Sequence, residues 1–186
     1  EGKLFADLLG EAYTVLTGTA NRQFNVKLAA EPCNGTVLMP GEVFSFNGAT
    51  GSRSAAMGYK SATVYSGGKT VTEVGGGVCQ TSSTIYYALL HTQLEVVERR
   101  NHGYNTGYVP EGMDATVYYG LTDFQFRNNT DYPIRIEAYL DSSLAMYETA
   151  LSGETVSEEA QALAQAQEAQ IAAMFDAWKN RDPEAF

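Results

Sequence analysis

Apolar and polar positions fall in short blocks along most of the chain, and the blocks predict strands around one buried helix. Val43-Phe44-Ser45-Phe46, between the turn Met39-Pro40-Gly41-Glu42 and Asn47, alternates like a strand with one buried face. Ala62-Thr63-Val64-Tyr65 and Lys69-Thr70-Val71-Thr72 flank Ser66-Gly67-Gly68, the pattern of a β-hairpin. Ile85-Tyr86-Tyr87-Ala88-Leu89-Leu90 follows a run of hydroxyl residues, which predicts a buried helix from about Ser82 to Thr92. Four blocks rich in β-branched and aromatic residues come next: Leu94 to Arg99, Ala115 to Tyr119, Phe124 to Arg127, and Pro133 to Tyr139. The last is cleanest, with Ile134, Ile136 and Ala138 on one face and Arg135 and Glu137 on the other. Asn34-Gly35 and Asn128-Asn129-Thr130-Asp131 mark turns. Asn21 to Ala30 fits either helix or strand. The expected class is α+β, an antiparallel meander with a central helix after Cys79.

The pattern changes beyond Tyr139. Ser152-Gly153 interrupts it, Thr155-Val156-Ser157-Glu158 is a capping-box signature, and an amphipathic helix is predicted from about Glu158 to Lys179. Its apolar positions include Leu163, Ile171, Met174, Phe175 and Trp178. The expected organisation is a domain over 1–140 and an acidic tail over 141–186.

Charge follows the same division. Residues 1–140 carry 13 acidic and 10 basic side chains, and residues 141–186 carry 9 and 2, which accounts for the net charge of −10. Neither part has a basic stripe, so nucleic acid is not an expected partner. No apolar run approaches the ~20 residues of a membrane-spanning helix. The chain opens at Glu1, without an initiator methionine. It reads as a fragment of a longer precursor, with any signal or anchor outside it.

Candidate chemistry concentrates at Gly75-Gly76-Gly77-Val78-Cys79-Gln80-Thr81-Ser82-Ser83-Thr84. Glycines free the backbone for close approaches, and a thiol at a helix start faces the positive end of the dipole, which favours thiolate. The alternative is a cysteine packed under a tight turn. Of the two histidines, His91 ends the helix, where the dipole favours a surface imidazole. His102 lies in the Gly- and Asn-rich loop 101–107, the setting in which catalytic groups are often held. Asp114 opens the next predicted strand, with Asp123 as an alternative acid. In a Cys79–His102–Asp114 arrangement, His102 takes the thiol proton and Asp114 orients the ring. Backbone N–H groups around Gly77, Cys79 and Gln80 are then candidates for the oxyanion.

Cys33 reads as a small hydrophobe, while a Cys33–Cys79 disulfide would consume the nucleophile. Cys33, Cys79, His91 and His102 have no zinc-pair spacing, and the P-loop lysine and hydroxyl are missing, so no metal or cofactor is expected.

Several ordered segments carry a family resemblance: Asn21-Arg22-Gln23-Phe24-Asn25 with Leu28-Ala29-Ala30, Asn34 to Asn47, Gly58-Tyr59, and the glycine–cysteine run. Glu98-Arg99, His102, Tyr108 and Gly112-Met113-Asp114-Ala115-Thr116-Val117 complete the set. From about Tyr13 to about Tyr139 the chain resembles the VanW family, named for an accessory protein of vancomycin-resistance gene clusters. The resemblance implies an exported or envelope-attached bacterial protein and favours a functional His102. The order cysteine, histidine, acid is similar to that of transglutaminase-like and papain-like enzymes, an analogy of fold and chemistry. A papain-like glutamine would precede the cysteine, whereas Gln80 follows it.

Arg99 either holds a substrate carboxylate or pairs with a neighbour such as Glu98. Tyr108 and Ser82 are candidate substrate contacts. Asn21, Arg22 and Asn25 either line the cleft or tie the N-terminal segment by hydrogen bonds. The expected function is extracytoplasmic thiol-dependent acyl transfer on envelope peptides, with the peptidoglycan stem peptide suggested by the resemblance. The rival is a non-catalytic envelope-binding or structural module. Oligomeric state is left open.

Overall fold

The computed structural model describes Phe5 and residues 7–66, 69–141 and 146–153. In chain order its elements are β1 (Asp7–Val15), α1 (Ala20–Ala30), β2 (Val37–Leu38), β3 (Val43–Ser45), α2 (Phe46–Thr50), β4 (Ser61–Ser66) and β5 (Lys69–Val74). Then come α3 (Cys79–Leu89), β6 (Glu95–Glu98), β7 (Gln125–Arg127), β8 (Ile134–Asp141) and β9 (Met146–Gly153). The class is mixed α and β with antiparallel sheets and few helices, as the sequence pattern predicts.

Local chemistry sets several boundaries. Extended Thr19 accepts the Arg22 amide on its hydroxyl and starts α1, so the ambiguous Asn21–Ala30 segment is helix. Ser45 accepts the Gly48 amide, which ends β3 and puts Phe46 in a short helix rather than in the predicted strand. β4 and β5 form the expected hairpin with Ser66 opposite Lys69; Gly67 and Gly68 lie outside the described residues.

The largest sheet has the order β1-β9-β8-β2 and a second has β3-β7-β6. Helix α3 packs on β1 and β9. Phe46, Phe124, Phe126, Ile85, Leu89, Ile134, Ile136 and Leu151 are fully buried, each contributing about 1.5–3 kcal/mol of transfer free energy.

The first turns of α3 are polar yet buried. Gln80, Thr81, Ser82, Ser83 and Thr84 are at most 1% exposed, so each must find partners inside the protein. Gln80 Nε2 donates to Thr14 Oγ1 and the Val15 carbonyl, both at 3.0 Å. Thr84 meets Thr14 at 2.8 Å, and Thr81 donates to the Val26 carbonyl at 3.2 Å. Ser82 donates to the Ala115 carbonyl at 2.7 Å, and the Ala115 amide donates to Ser83 Oγ at 3.0 Å. These last bonds explain why Ala115 to Tyr119 is not the predicted strand. Ala115 spends its backbone groups on helix hydroxyls, and Tyr118 makes only an isolated bridge to Thr122.

β9 lies past the boundary expected at residue 140 and pairs with both β8 and β1. The compact unit containing it runs Glu1–Glu154. The predicted helix over 158–179 lies outside the described residues. Among the described residues, no helix is long and apolar enough to cross a membrane.

Candidate active site

The glycine run brings Cys79 to the first position of α3 by letting neighbouring segments approach closely. A Cβ on Gly77 would lie 2.7 Å from Arg22 Cγ, and one on Gly75 would lie 2.8 Å from Arg53 Cβ. Both glycines also have positive φ, 105° and 82°, which disfavours side chains. Gly76 is closed for a different reason, since its Cβ would stand 2.7 Å from the Ala62 carbonyl oxygen. Fully buried Asn25 pins this run through bonds to the Lys60 and Gly76 carbonyls at 2.8 and 3.0 Å. Gly76→Ala should therefore cost about 1–3 kcal/mol in urea unfolding, because a backbone oxygen cannot yield as a side chain can. A change within about 0.5 kcal/mol would contradict the contact.

Cys79 is partly exposed and unpaired, and Cys33 is a free buried thiol. Cys79 Sγ donates to the Val117 carbonyl at 3.6 Å and lies 3.8 Å from Thr116 Oγ1, and the His102 ring stands close enough to act on the charge of the thiol. His102 Nδ1 meets Asp114 Oδ2 at 2.5 Å, which leaves Nε2 for the thiol. The same carboxylate oxygen accepts the His102 amide at 2.6 Å, fixing the loop as well as the ring. The His102 and Asp114 side chains are 9% and 8% exposed. Arg99 supports Asp114 from behind: Nε donates to the Asp114 carbonyl at 2.7 Å and Nη2 to the Gly112 carbonyl at 2.6 Å. Its Nη2 lies 3.4 Å from Asp114 Oδ1, and its guanidinium covers the Tyr86 ring.

The electrostatics follow from this geometry. Burial alone would raise the Cys79 pKa, but the bond to His102 and its charge, with the Val117 backbone and Thr116, bring it below the ordinary thiol value. Burial likewise opposes charge on His102. Asp114 and Cys79 outweigh it and push the imidazole up to about 9. Asp114 is held low by the His102 ring and amide and by Arg99, against the effect of burial. The arrangement favours a thiolate–imidazolium pair at neutral pH. Cys33 is pushed up to about 12 by burial, so it stays a thiol.

His102 charges more readily when folded than in the unfolded chain, where its pKa is about 6.5. Its contribution to stability is complete below that value and is lost as pH rises through about 9. Asp114, with its lowered pKa, contributes above the unfolded carboxylate value and is lost as pH falls through its folded one. His102→Gln should therefore cost on the order of 2 kcal/mol near pH 6, with the deficit shrinking toward pH 9. Urea unfolding of both proteins across that range checks the sign; a deficit that grows with pH would contradict it.

Around Cys79 opens a cleft of about 1150 Å³. It is lined by Arg22, Arg53, Gly75 to Cys79, Thr63 and Val64, Glu73 and Val74, and by Tyr104, Tyr108, Tyr118 and Tyr119. Burial beside the Cys79 charge raises the Tyr108 pKa, against the opposing effect of Ser83 and Thr106. Among the described residues, no three His, Cys, Asp or Glu side chains form a metal-binding group.

The remaining candidates are placed as follows. Gly77 and Arg22 line the cleft. Arg22 also ties two elements, donating to the Thr17 carbonyl at 2.9 Å and to Gln80 Oε1 at 2.7 Å. Gln80 is a buried structural residue, and its amide donates to the Gly77 carbonyl at 2.9 Å, so it is not an oxyanion donor. Ser82 is buried, bonded to the Ala115 carbonyl, and outside the cleft lining. Asn21 ties α1 to the Ser61 carbonyl at 2.9 Å. Arg99 stands outside the cleft lining and binds the Asp114 carbonyl and carboxylate and the Gly112 carbonyl through Nε and Nη2, which places it behind Asp114. Asp123 accepts from Ser45, from the Asn47 and Phe124 amides, and from Gln125; it holds α2 in place and is not the third member. Sequence reasoning missed Arg53, because a lone arginine in Gly51-Ser52-Arg53-Ser54 has no local signature.

Comparison with known proteins agrees with these segments. A family model described as "VanW like protein" matches residues 21–149. An "Uncharacterized protein YoaR" of Bacillus subtilis (strain 168) is 40% identical over 131 residues, which is 70% of this chain and 43% of that protein. The "Vancomycin B-type resistance protein VanW" of Enterococcus faecalis (strain ATCC 700802 / V583) is 36% identical over 126 residues, 65% of this chain and 46% of that one. The chain thus spans less than half the length of these two curated relatives. No solved structure matches it.

Proposed function

The chain belongs to the VanW family, and from its cleft we propose a thiol-dependent acyl-transfer domain, hydrolase or transferase, acting on amide bonds of envelope peptides. The observation that carries the reading is the placement of Cys79 at a helix start in an open cleft, beside a His102 ring that Asp114 holds at 2.5 Å. The Cys79 thiolate attacks the carbonyl carbon, and the C=O electron pair moves onto oxygen. The Cys79 amide at the start of α3 is the donor best placed for that oxyanion, because the Gln80 and Thr81 amides already bond the Gly77 and Val78 carbonyls. On collapse, the C–N bond breaks and the His102 imidazolium protonates the leaving amine. His102, now neutral, deprotonates the water or amine that releases the acyl group from sulfur. Asp114 keeps the ring oriented throughout.

Peptidoglycan stem peptides are the proposed substrate class. The support is the resistance-protein name of a relative and a cleft of about 1150 Å³, which has room for a peptide rather than a single residue. An extracytoplasmic location follows from that substrate. Purified muropeptides incubated with the protein should yield new amine and carboxyl ends by mass spectrometry, or an exchanged acyl partner. Cys79→Ala and His102→Ala should abolish both products. Equal binding by the protein and Cys79→Ala, without turnover by either, would replace this reading with a binding module.

A further inference from the structure

We propose that Arg53 forms a carboxylate-binding subsite beside Cys79, so that substrates carry a free carboxylate close to the carbonyl under attack. This rests on the reading of Cys79 as the nucleophile. Three arginines stand near the site, and of these Arg22 and Arg53 line the cleft. Arg99 lies outside the lining, against Asp114 and Gly112, and Arg22 has both ends of its fork bonded, Nη1 to Thr17 and Nη2 to Gln80. Arg53 differs. Its Nη1 takes three acceptors: Asn47 Oδ1 at 2.6 Å, the Gly51 carbonyl at 3.1 Å and Thr50 Oγ1 at 3.2 Å. Its Nε and Nη2 have no hydrogen-bond partner among the described residues and are not sealed from solvent, and the residue lines the Cys79 cleft.

The guanidinium stands 5.9 Å from the Phe46 ring centroid and 5.7 Å from that of Tyr119. It is therefore tethered at one nitrogen, flanked by aromatic rings, and presents the rest of its fork. That geometry suits bidentate recognition of a carboxylate, with little side-chain entropy left to lose on binding. The charges facing it are the Cys79 thiolate and Asp123, and Asp123 already accepts four bonds. Glu73, on the cleft lining, is exposed on β5.

Two alkylating agents separate this proposal from the one beneath it. Iodoacetate and iodoacetamide each lose iodide to the Cys79 thiolate and leave a thioether, but only iodoacetate carries a carboxylate. Arg53→Gln should lower the ratio of iodoacetate to iodoacetamide rates roughly tenfold, and Arg53→Lys, which keeps charge but loses the fork, about threefold. The native protein supplies a test that needs no variant: N-acetyl-alanine should protect Cys79 from iodoacetamide and N-acetyl-alaninamide should not. A ratio unmoved by Arg53→Gln, or equal protection by the acid and the amide, with normal iodoacetamide reactivity, would overturn the subsite alone. A Cys79 inert to iodoacetamide would remove the nucleophile reading and the subsite with it.

Discussion

Replacing His102 with alanine should slow alkylation of Cys79 by iodoacetamide at least tenfold near pH 6. The reason is the balance acting on the thiol. Burial favours the protonated form, and it is the hydrogen bond and charge of His102 that reverse this. Without them the thiolate fraction collapses. Its higher intrinsic nucleophilicity recovers only part of the loss, because nucleophilicity rises with a Brønsted slope of about 0.4–0.5. Asp114→Asn should slow alkylation less, since Asp114 acts through the ring it holds. Cys33 is the internal control: fully buried and pushed up to about 12, it should label slowly in every folded variant. Equal labelling of both cysteines, unaffected by His102→Ala, would make Cys79 a structural thiol.

Ending the chain after Leu140 should abolish cooperative folding, whereas ending it at Glu154 should preserve the fold and the reactivity of Cys79. β9 stands between β1 and β8, so its removal strips both of a partner and takes a neighbour from α3. It also deletes Leu151, which is fully buried. Leu151→Ala alone should cost about 2–5 kcal/mol, the range for emptying a core leucine site. Thermal melts of the two truncations check this directly. A cooperative melt for the shorter one would mean that the β1-β9-β8 arrangement does not hold the domain together.

The candidate triad was legible because each member carries a local signal. Cys79 ends a glycine run and opens a helix, His102 sits in a loop, and Asp114 follows at short range. The strands with one buried face, Ile134 to Ala138 above all, were legible from alternation. What was hidden depends on distant partners. β1 reads weakly because its buried face includes Thr14, whose role appears only when Gln80 and Thr84 are bonded to it. The predicted strand at Ala115 is undone by hydroxyls of Ser82 and Ser83 more than thirty positions away. Arg99 and Arg53 exchange expectations for the same reason, since nothing local tells which arginine's fork the fold will consume.

Whether His102 holds Cys79 as a thiolate is read from a pH titration of thiolate ultraviolet absorbance in the folded protein. Cys79 should ionise below the ~8.5 of a free thiol. His102→Ala should move that transition upward past the free value, because burial, the largest influence on the thiol, is then opposed only by the Val117 backbone and Thr116. A Cys79 that ionises at or above 8.5 in the native protein, or at the same pH with and without His102, would contradict the account.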